Sequence, residues 1–171
     1  MENITLIGMP GSGKSTVGVV LAKTLGYSFL DVDLVIQERQ RKLLQELLNS
    51  LGTEGFLDLE GKTIRSLSPQ KTVLAPGGSC VLRADAMAHL KSLGKVVYLH
   101  LSYEALEGRI HNLATRGIAF APGQTLRDVY DQRAPLYARY ADLTVEVDGQ
   151  TLDETLAAVR AALAPSLPHK I

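Results

Sequence analysis

The sequence predicts an α/β fold, a three-layer arrangement in which a parallel sheet is covered on both faces by helices. Two observations carry that reading. A short apolar, β-prone run, Ile4-Thr5-Leu6-Ile7, leads through a glycine loop into Val17, Val20, Leu21 and Leu25 at helical spacing. Beyond it, short strand-like runs alternate with longer helical stretches, the pattern of repeated βαβ units.

The elements follow in order. Ser28 to Asp31 reads as a second strand, and Leu34 to Leu51 as a helix carrying the charged run Glu38-Arg39-Gln40-Arg41-Lys42. Paired signs mark that run as an exposed helix face rather than a nucleic-acid patch. Gly52 breaks the helix, and Thr53 to Leu67 resumes it. Thr72 to Ala75 is a third strand that ends in Pro76-Gly77-Gly78-Ser79. A helix over Ala84 to Leu93, a strand over Val96 to Leu101 and a helix over Tyr103 to Leu113 come next. A loop from Ala114 to Gln124 precedes a helix over Thr125 to Tyr140. Leu143 to Val147 is the fifth strand, Leu152 to Leu163 the closing helix, and Pro165 to Ile171 a frayed tail.

Bulk properties narrow the function classes. The 171 residues suit one domain, residues 1–171, able to bury roughly 70% of its unfolded surface. Eighteen basic and eighteen acidic residues cancel, which weighs against a nucleic-acid partner. A single cysteine, Cys80, permits no disulfide within the chain and fits a reducing, cytoplasmic setting. Neither a signal peptide nor a run of about 20 apolar residues is expected, so no membrane partner is either. A monomer is expected.

Residues 8 to 16, Gly-Met-Pro-Gly-Ser-Gly-Lys-Ser-Thr, match the phosphate-loop pattern G-x-x-x-x-G-K-[S/T] between a strand and a helix. Backbone N–H groups around Gly11, Ser12 and Gly13 turn inward toward phosphate oxygens, and the helix N-terminus beginning near Lys14 adds a positive end. Lys14 reaches the β- and γ-phosphates, the Ser15 hydroxyl is placed to hold Mg²⁺, and Thr16 completes the motif. The chain therefore binds a nucleoside triphosphate. In open α/β sheets, ligands gather beyond the carboxyl ends of the strands, so the residues after each strand become candidates. Asp31 and Asp33 follow the second strand, two apart, so in an extended chain their carboxylates share a side. Mg²⁺ and a substrate hydroxyl would relieve their repulsion; the alternative is that Asp33 caps the next helix. Gly77 and Gly78 offer N–H groups and close approach, or are a plain turn. Arg133 falls inside the apolar stripe Leu126, Val129, Tyr130, Leu136, Tyr137, Tyr140, so an inward guanidinium needs a carboxylate of the protein or of a ligand. Arg116 lies in the Gly/Pro-containing loop, where a lid (about 112–124) would bring it to the transferring phosphoryl group. Arg109 either stacks on a nucleotide base or is an exposed helical arginine. His89, His100, His111 and His169 show no metal-ligand spacing, and Cys80 reads as a small core residue.

The constellation resembles the shikimate kinases, within the nucleoside-monophosphate-kinase-like group, from Ile4 to about Leu163. Its carriers are Gly8–Thr16, Asp31-Val32-Asp33, Phe56 with Glu60, Gly77-Gly78, Arg109, Arg116 and Arg133-Ala134-Pro135-Leu136-Tyr137. The resemblance implies a five-stranded parallel sheet in the order 2-3-1-4-5, MgATP as donor and a small hydroxy acid as acceptor. It makes residues 34–67 the acceptor-binding helices. By it, Asp33 takes the acceptor hydroxyl, Asp31 supports Mg²⁺, Phe56, Gly77, Gly78 and Arg133 hold the acceptor, and Arg116 bridges phosphate and acceptor. The chain departs from the family pattern where the family has an arginine after the phenylalanine: here that position is Leu57, with Thr53 in place of a glutamate and Ser79 in place of a third glycine. Arg116-Gly117-Ile118 stands where the family has Arg-Pro-Leu. One charge-assisted hydrogen bond to the acceptor carboxylate is worth about 1.5–3 kcal/mol, an affinity factor of about 10 to 150. Neither Lys62 nor Arg65 is placed to replace it. Three functions stay open at this point: shikimate phosphorylation, phosphorylation of another polyhydroxy acid or polyol with Leu57 against its apolar part, and a non-catalytic ATP-binding module. A GTPase switch is excluded, since no N-K-x-D motif is present.

Overall fold

The computed structural model of the chain describes residues 2–110 and 121–166. Its five strands are β1 (Asn3–Ile7), β2 (Ser28–Asp31), β3 (Thr72–Ala75), β4 (Gly94–His100) and β5 (Leu143–Glu146). They form one sheet in the order β2-β3-β1-β4-β5, with every neighbouring pair parallel. This is the order the family resemblance implies. The central strands β1 and β3 are wholly buried, as continuous apolar strands covered on both faces must be. Their polar residues are Asn3, Thr5 and Thr72; the Asn3 amide donates to the carbonyls of Pro69 and Leu93 and accepts the Thr72 N–H, so none of its polar atoms is stranded.

The described helices are α1 (Lys14–Leu25), α2 (Val32–Gln40), α3 (Leu44–Arg65), α4 (Ala84–Leu93), α5 (Tyr103–Arg109), α6 (Leu126–Tyr140) and α7 (Leu152–Leu163). The crossover from β1 to β2 runs one way along the sheet and those from β2 to β3 and from β3 to β4 run the other. Right-handed connection therefore puts α1 on one face and α3 and α4 on the other. Packing agrees: α1 lies against α7, and α3 against α4. The loops after β1 and β3, neighbouring strands, thus diverge to opposite faces and leave a crevice at their carboxyl ends.

Several boundaries differ from the sequence reading. The helix expected over 34–51 begins two residues earlier and is interrupted at Arg41, which adopts left-handed backbone (φ 53). Gln37 accepts the Leu44 N–H and Glu46 accepts the Leu43 N–H, so side chains close this turn. Gly52 does break the next helix, at φ 69 and ψ 177, but the axis resumes at once and α3 ends at Arg65. β4 starts at Gly94 rather than Val96, and a short 3-10 turn, Ala164–Ser166, occupies the start of the expected tail. The expected end of the fifth helix at Leu113, and most of the lid with Arg116 and His111, lie outside the described residues, as does His169. Among the described residues no helix is long and apolar enough to cross a membrane.

Candidate active site

The crevice is a cleft of about 520 Å³ whose lining runs from the phosphate loop through the ends of β2 and β3 to Arg133 of α6. Its first wall is the loop itself. Gly13 takes φ 91 to turn the chain into α1, a conformation that side-chain-bearing residues rarely adopt. Lys14 is buried beneath the loop and donates to the carbonyls of Gly8 (2.9 Å) and Met9 (3.0 Å). Burial pulls its pKa down to about 8, with the nearby Asp33 opposing. The Ser12 hydroxyl is buried and has no hydrogen-bond partner among the described residues, an orphaned group inside the phosphate loop. Pro10, Gly11, Ser15 and Thr16 also face the cleft.

The strand-two acids stand differently from the extended-chain picture. β2 ends at Asp31 and α2 starts at Val32, so Asp31 and not Asp33 is the helix cap. Its Oδ1 accepts the N–H groups of Asp33 (2.9 Å) and Leu34 (3.3 Å), while its Oδ2 accepts the Ser15 hydroxyl at 3.1 Å. Asp33, already helical, is thereby released from capping and turned into the cleft. Burial and then Asp31 raise its pKa to about 6, with Lys14 opposing.

The far wall is built on α3, the turn after β3 and α6. Phe56 is buried and lines the cleft with Gly77, Gly78 and Ser79. A Cβ on Gly77 would meet Glu60 Oε1 at 2.7 Å and Asp33 Oδ1 at 3.1 Å; one on Gly78 would meet Pro10 Cδ at 2.8 Å. Only glycine lets this turn press against both the acids and the phosphate loop. Tyr137 fixes it in place, its hydroxyl donating to Gly78 O at 2.5 Å and touching Met9 Sδ at 3.8 Å. A capping pair, Thr125 with Asp128, starts α6, whose buried face carries Val129, Arg133 and Tyr137 at i, i+4 spacing. Arg133 is 1% exposed, the only arginine lining the cleft among the described residues. It faces inward, as its place in the stripe requires.

Leu57 is in the hydrophobic core and does not line the cleft, so it is not placed against a ligand as the changed-acceptor alternative required. Arg65 pairs with Asp85 and Lys62 is exposed. Arg109 ends α5 and reaches the carbonyls of Gly11 (3.4 Å) and Val147 (3.5 Å), bridging the phosphate loop and the end of β5. Cys80 is a buried thiol in the core, and burial pushes its pKa up. His89 bonds to the Leu67 carbonyl and His100 to Glu146. Among the described residues no group of three or more His, Cys, Asp or Glu side chains could hold a metal ion. Gln37, Leu43, Leu44 and Gln45 also line the cleft, with no prior signal in the sequence. Glu60, which the family resemblance pairs with Phe56, shares the buried face of α3 with Phe56, Leu57 and Ile64.

Comparison with known proteins gives a consistent answer. A family model described as "Shikimate kinase" matches residues 10–164. Shikimate kinase of Pseudomonas fluorescens is 40% identical over 151 residues, 86% of this chain and 88% of that protein. That of Thermodesulfovibrio yellowstonii is 34% identical over 157 residues, 90% of each. The structure of shikimate kinase from Acinetobacter baumannii in complex with shikimate superposes with a TM-score of 0.87 at 32% identity, covering 98% of this chain and 96% of that one. On sequence and fold alike, the chain belongs to the shikimate kinase family.

Proposed function

We propose that this protein is an ATP-dependent kinase that phosphorylates a hydroxyl of shikimate. The observation that carries the reading is one cleft lined by Lys14 on the phosphate loop, by Asp33 in the middle and by the buried Arg133 opposite. The loop takes the triphosphate through backbone N–H groups, the Ser12 hydroxyl and Lys14. Arg133 takes the carboxylate of the acceptor, while Phe56 and the Gly77-Gly78 turn shape its seat. Asp33 receives the proton of the acceptor hydroxyl as that oxygen bonds to the γ-phosphorus. The bond from that phosphorus to the bridging oxygen breaks, and ADP leaves with the electron pair. Lys14, and Arg116 from the lid, offset the charge on the group in flight. Arg109 closes the nucleotide end of the cleft.

The Ser15 hydroxyl and Asp31 carboxylate, 3.1 Å apart, are hard oxygen donors of the kind Mg²⁺ uses alongside nucleotide phosphates. They would hold the ion, which neutralises phosphate charge when bound. A monomer suffices as the catalytic unit, because one chain supplies every wall. The test is ADP release from MgATP by the purified protein across a panel of hydroxy acids and polyols. Shikimate should give kcat/KM of about 10⁴ M⁻¹s⁻¹ or more. A polyol or sugar acid outrunning shikimate, or no ADP release with any acceptor, would overturn the reading.

A further inference from the structure

We propose that Glu60 is a proton-carrying positioning residue of the acceptor site, so that the acceptor anion binds together with one proton taken up by the Glu60 carboxyl. The proposal rests on the acceptor reading above. Glu60 is 1% exposed on the inner face of α3. Its Oε2 accepts the Ser79 hydroxyl at 2.6 Å, and its Oε1 is buried with no hydrogen-bond partner among the described residues. None of the described ion pairs includes it. The orphaned Oε1 and Asp33 Oδ1 converge on Gly77, a residue that lines the cleft, and flank the point a Cβ there would occupy. Two carboxylates so placed, one of them buried and in none of the described ion pairs, do not both ionise readily, and the deeper one is the one disposed to take up a proton.

The groups facing Glu60 set the coupling. Lys14 of α1 and Arg133 of α6 favour its ionised form, as does the Ser79 hydroxyl, whereas Asp33 of α2 opposes it. Cys80 beside Ser79 stays a neutral thiol. Burial outweighs the two cations and the Ser79 hydrogen bond, leaving the Glu60 pKa pushed up to about 7. An anion on Arg133 and phosphates on Lys14 cancel the two cationic pulls and add negative charge. The proton is then held more tightly, and by linkage the acceptor prefers the protonated protein. The core position of Leu57 leaves Glu60 with no guanidinium on its own helix face to take over that role.

The test is KM for shikimate at saturating MgATP from about pH 6 to 8.5, for the parent and for Glu60→Gln, which copies the protonated form. The parent's KM should rise by up to tenfold per pH unit above about 7, whereas that of Glu60→Gln stays level. Calorimetry of shikimate binding to the parent, in two buffers of different ionisation enthalpy near pH 7.5, should show net proton uptake and needs no variant. A level parent KM without proton uptake, or a Glu60→Gln profile as steep as the parent's, overturns the proposal alone. Absence of shikimate turnover at every pH overturns the acceptor reading and the proposal with it.

Discussion

Asp31 serves the cleft in two ways that a pair of substitutions separates. One oxygen caps α2 through the Asp33 and Leu34 N–H groups, and the other accepts the Ser15 hydroxyl. Asparagine retains a capping oxygen and caps about as well as aspartate, so Asp31→Asn should change stability by no more than about 0.5 kcal/mol. Asp31→Ala loses the cap, about 0.5–2 kcal/mol, which for a chain of this size lowers Tm by roughly 1–8 °C. Both variants lose the charge. In both, the Mg²⁺ concentration for half-maximal activity should rise, and the acid limb of kcat/KM should move below about pH 6, because Asp31 is one of the two causes raising Asp33. Thermal melts, Mg²⁺ titrations and pH profiles of the two variants read these effects separately. If Asn proved as destabilising as Ala, the cap assignment would be wrong. An acid limb that did not move in either variant would mean that Asp33 is not the titrating base.

Lys14→Met should cut turnover by orders of magnitude. The parent binds fewer protons at Lys14 when folded than when unfolded between about pH 8 and 10.5, so its stability rises with pH there by roughly 3 kcal/mol. Denaturant midpoints at about pH 7.5 and 10 should show that gain in the parent and not in the variant. Glu60 has the opposite sign: folded, it holds a proton up to about pH 7 against 4.5 unfolded, so its contribution, also roughly 3 kcal/mol, fades as pH rises through that window. Glu60→Gln should therefore flatten the fall in stability between those pH values. Tyr137→Phe leaves the Gly78 carbonyl without its buried donor, costing about 1–3 kcal/mol. Melting and steady-state kinetics should show a lower Tm and a raised acceptor KM with a smaller change in kcat.

Much of the architecture was legible because buried parallel strands and glycine loops leave local signatures. The run Ile4 to Ile7, the phosphate loop and Val17 to Leu25 each point to one conformation, and tertiary packing agrees. The turn at Arg41 was not legible: arginine has no preference for left-handed backbone, and the turn is closed by Gln37 and Glu46 from neighbouring turns. That the cap of α2 is Asp31 and not Asp33 hung on a strand passing into a helix without a linking residue, finer than pattern reading resolves. Arg133 was found because a cation inside an apolar stripe is anomalous. Glu60 carries the same signature on α3, where a glutamate shares a face with Phe56, Leu57 and Ile64.

The Tyr137 hydroxyl, Gly78 and Pro10 meet at a single junction, where the turn proposed to shape the acceptor's seat rests against the loop proposed to take the triphosphate. Attempts to redirect this scaffold to new alcohols by altering the glycine turn would disturb nucleotide grip at the same stroke. Gln45, an exposed residue of the cleft lining, takes no part in that junction, and a redesign of substrate choice has a freer hand there.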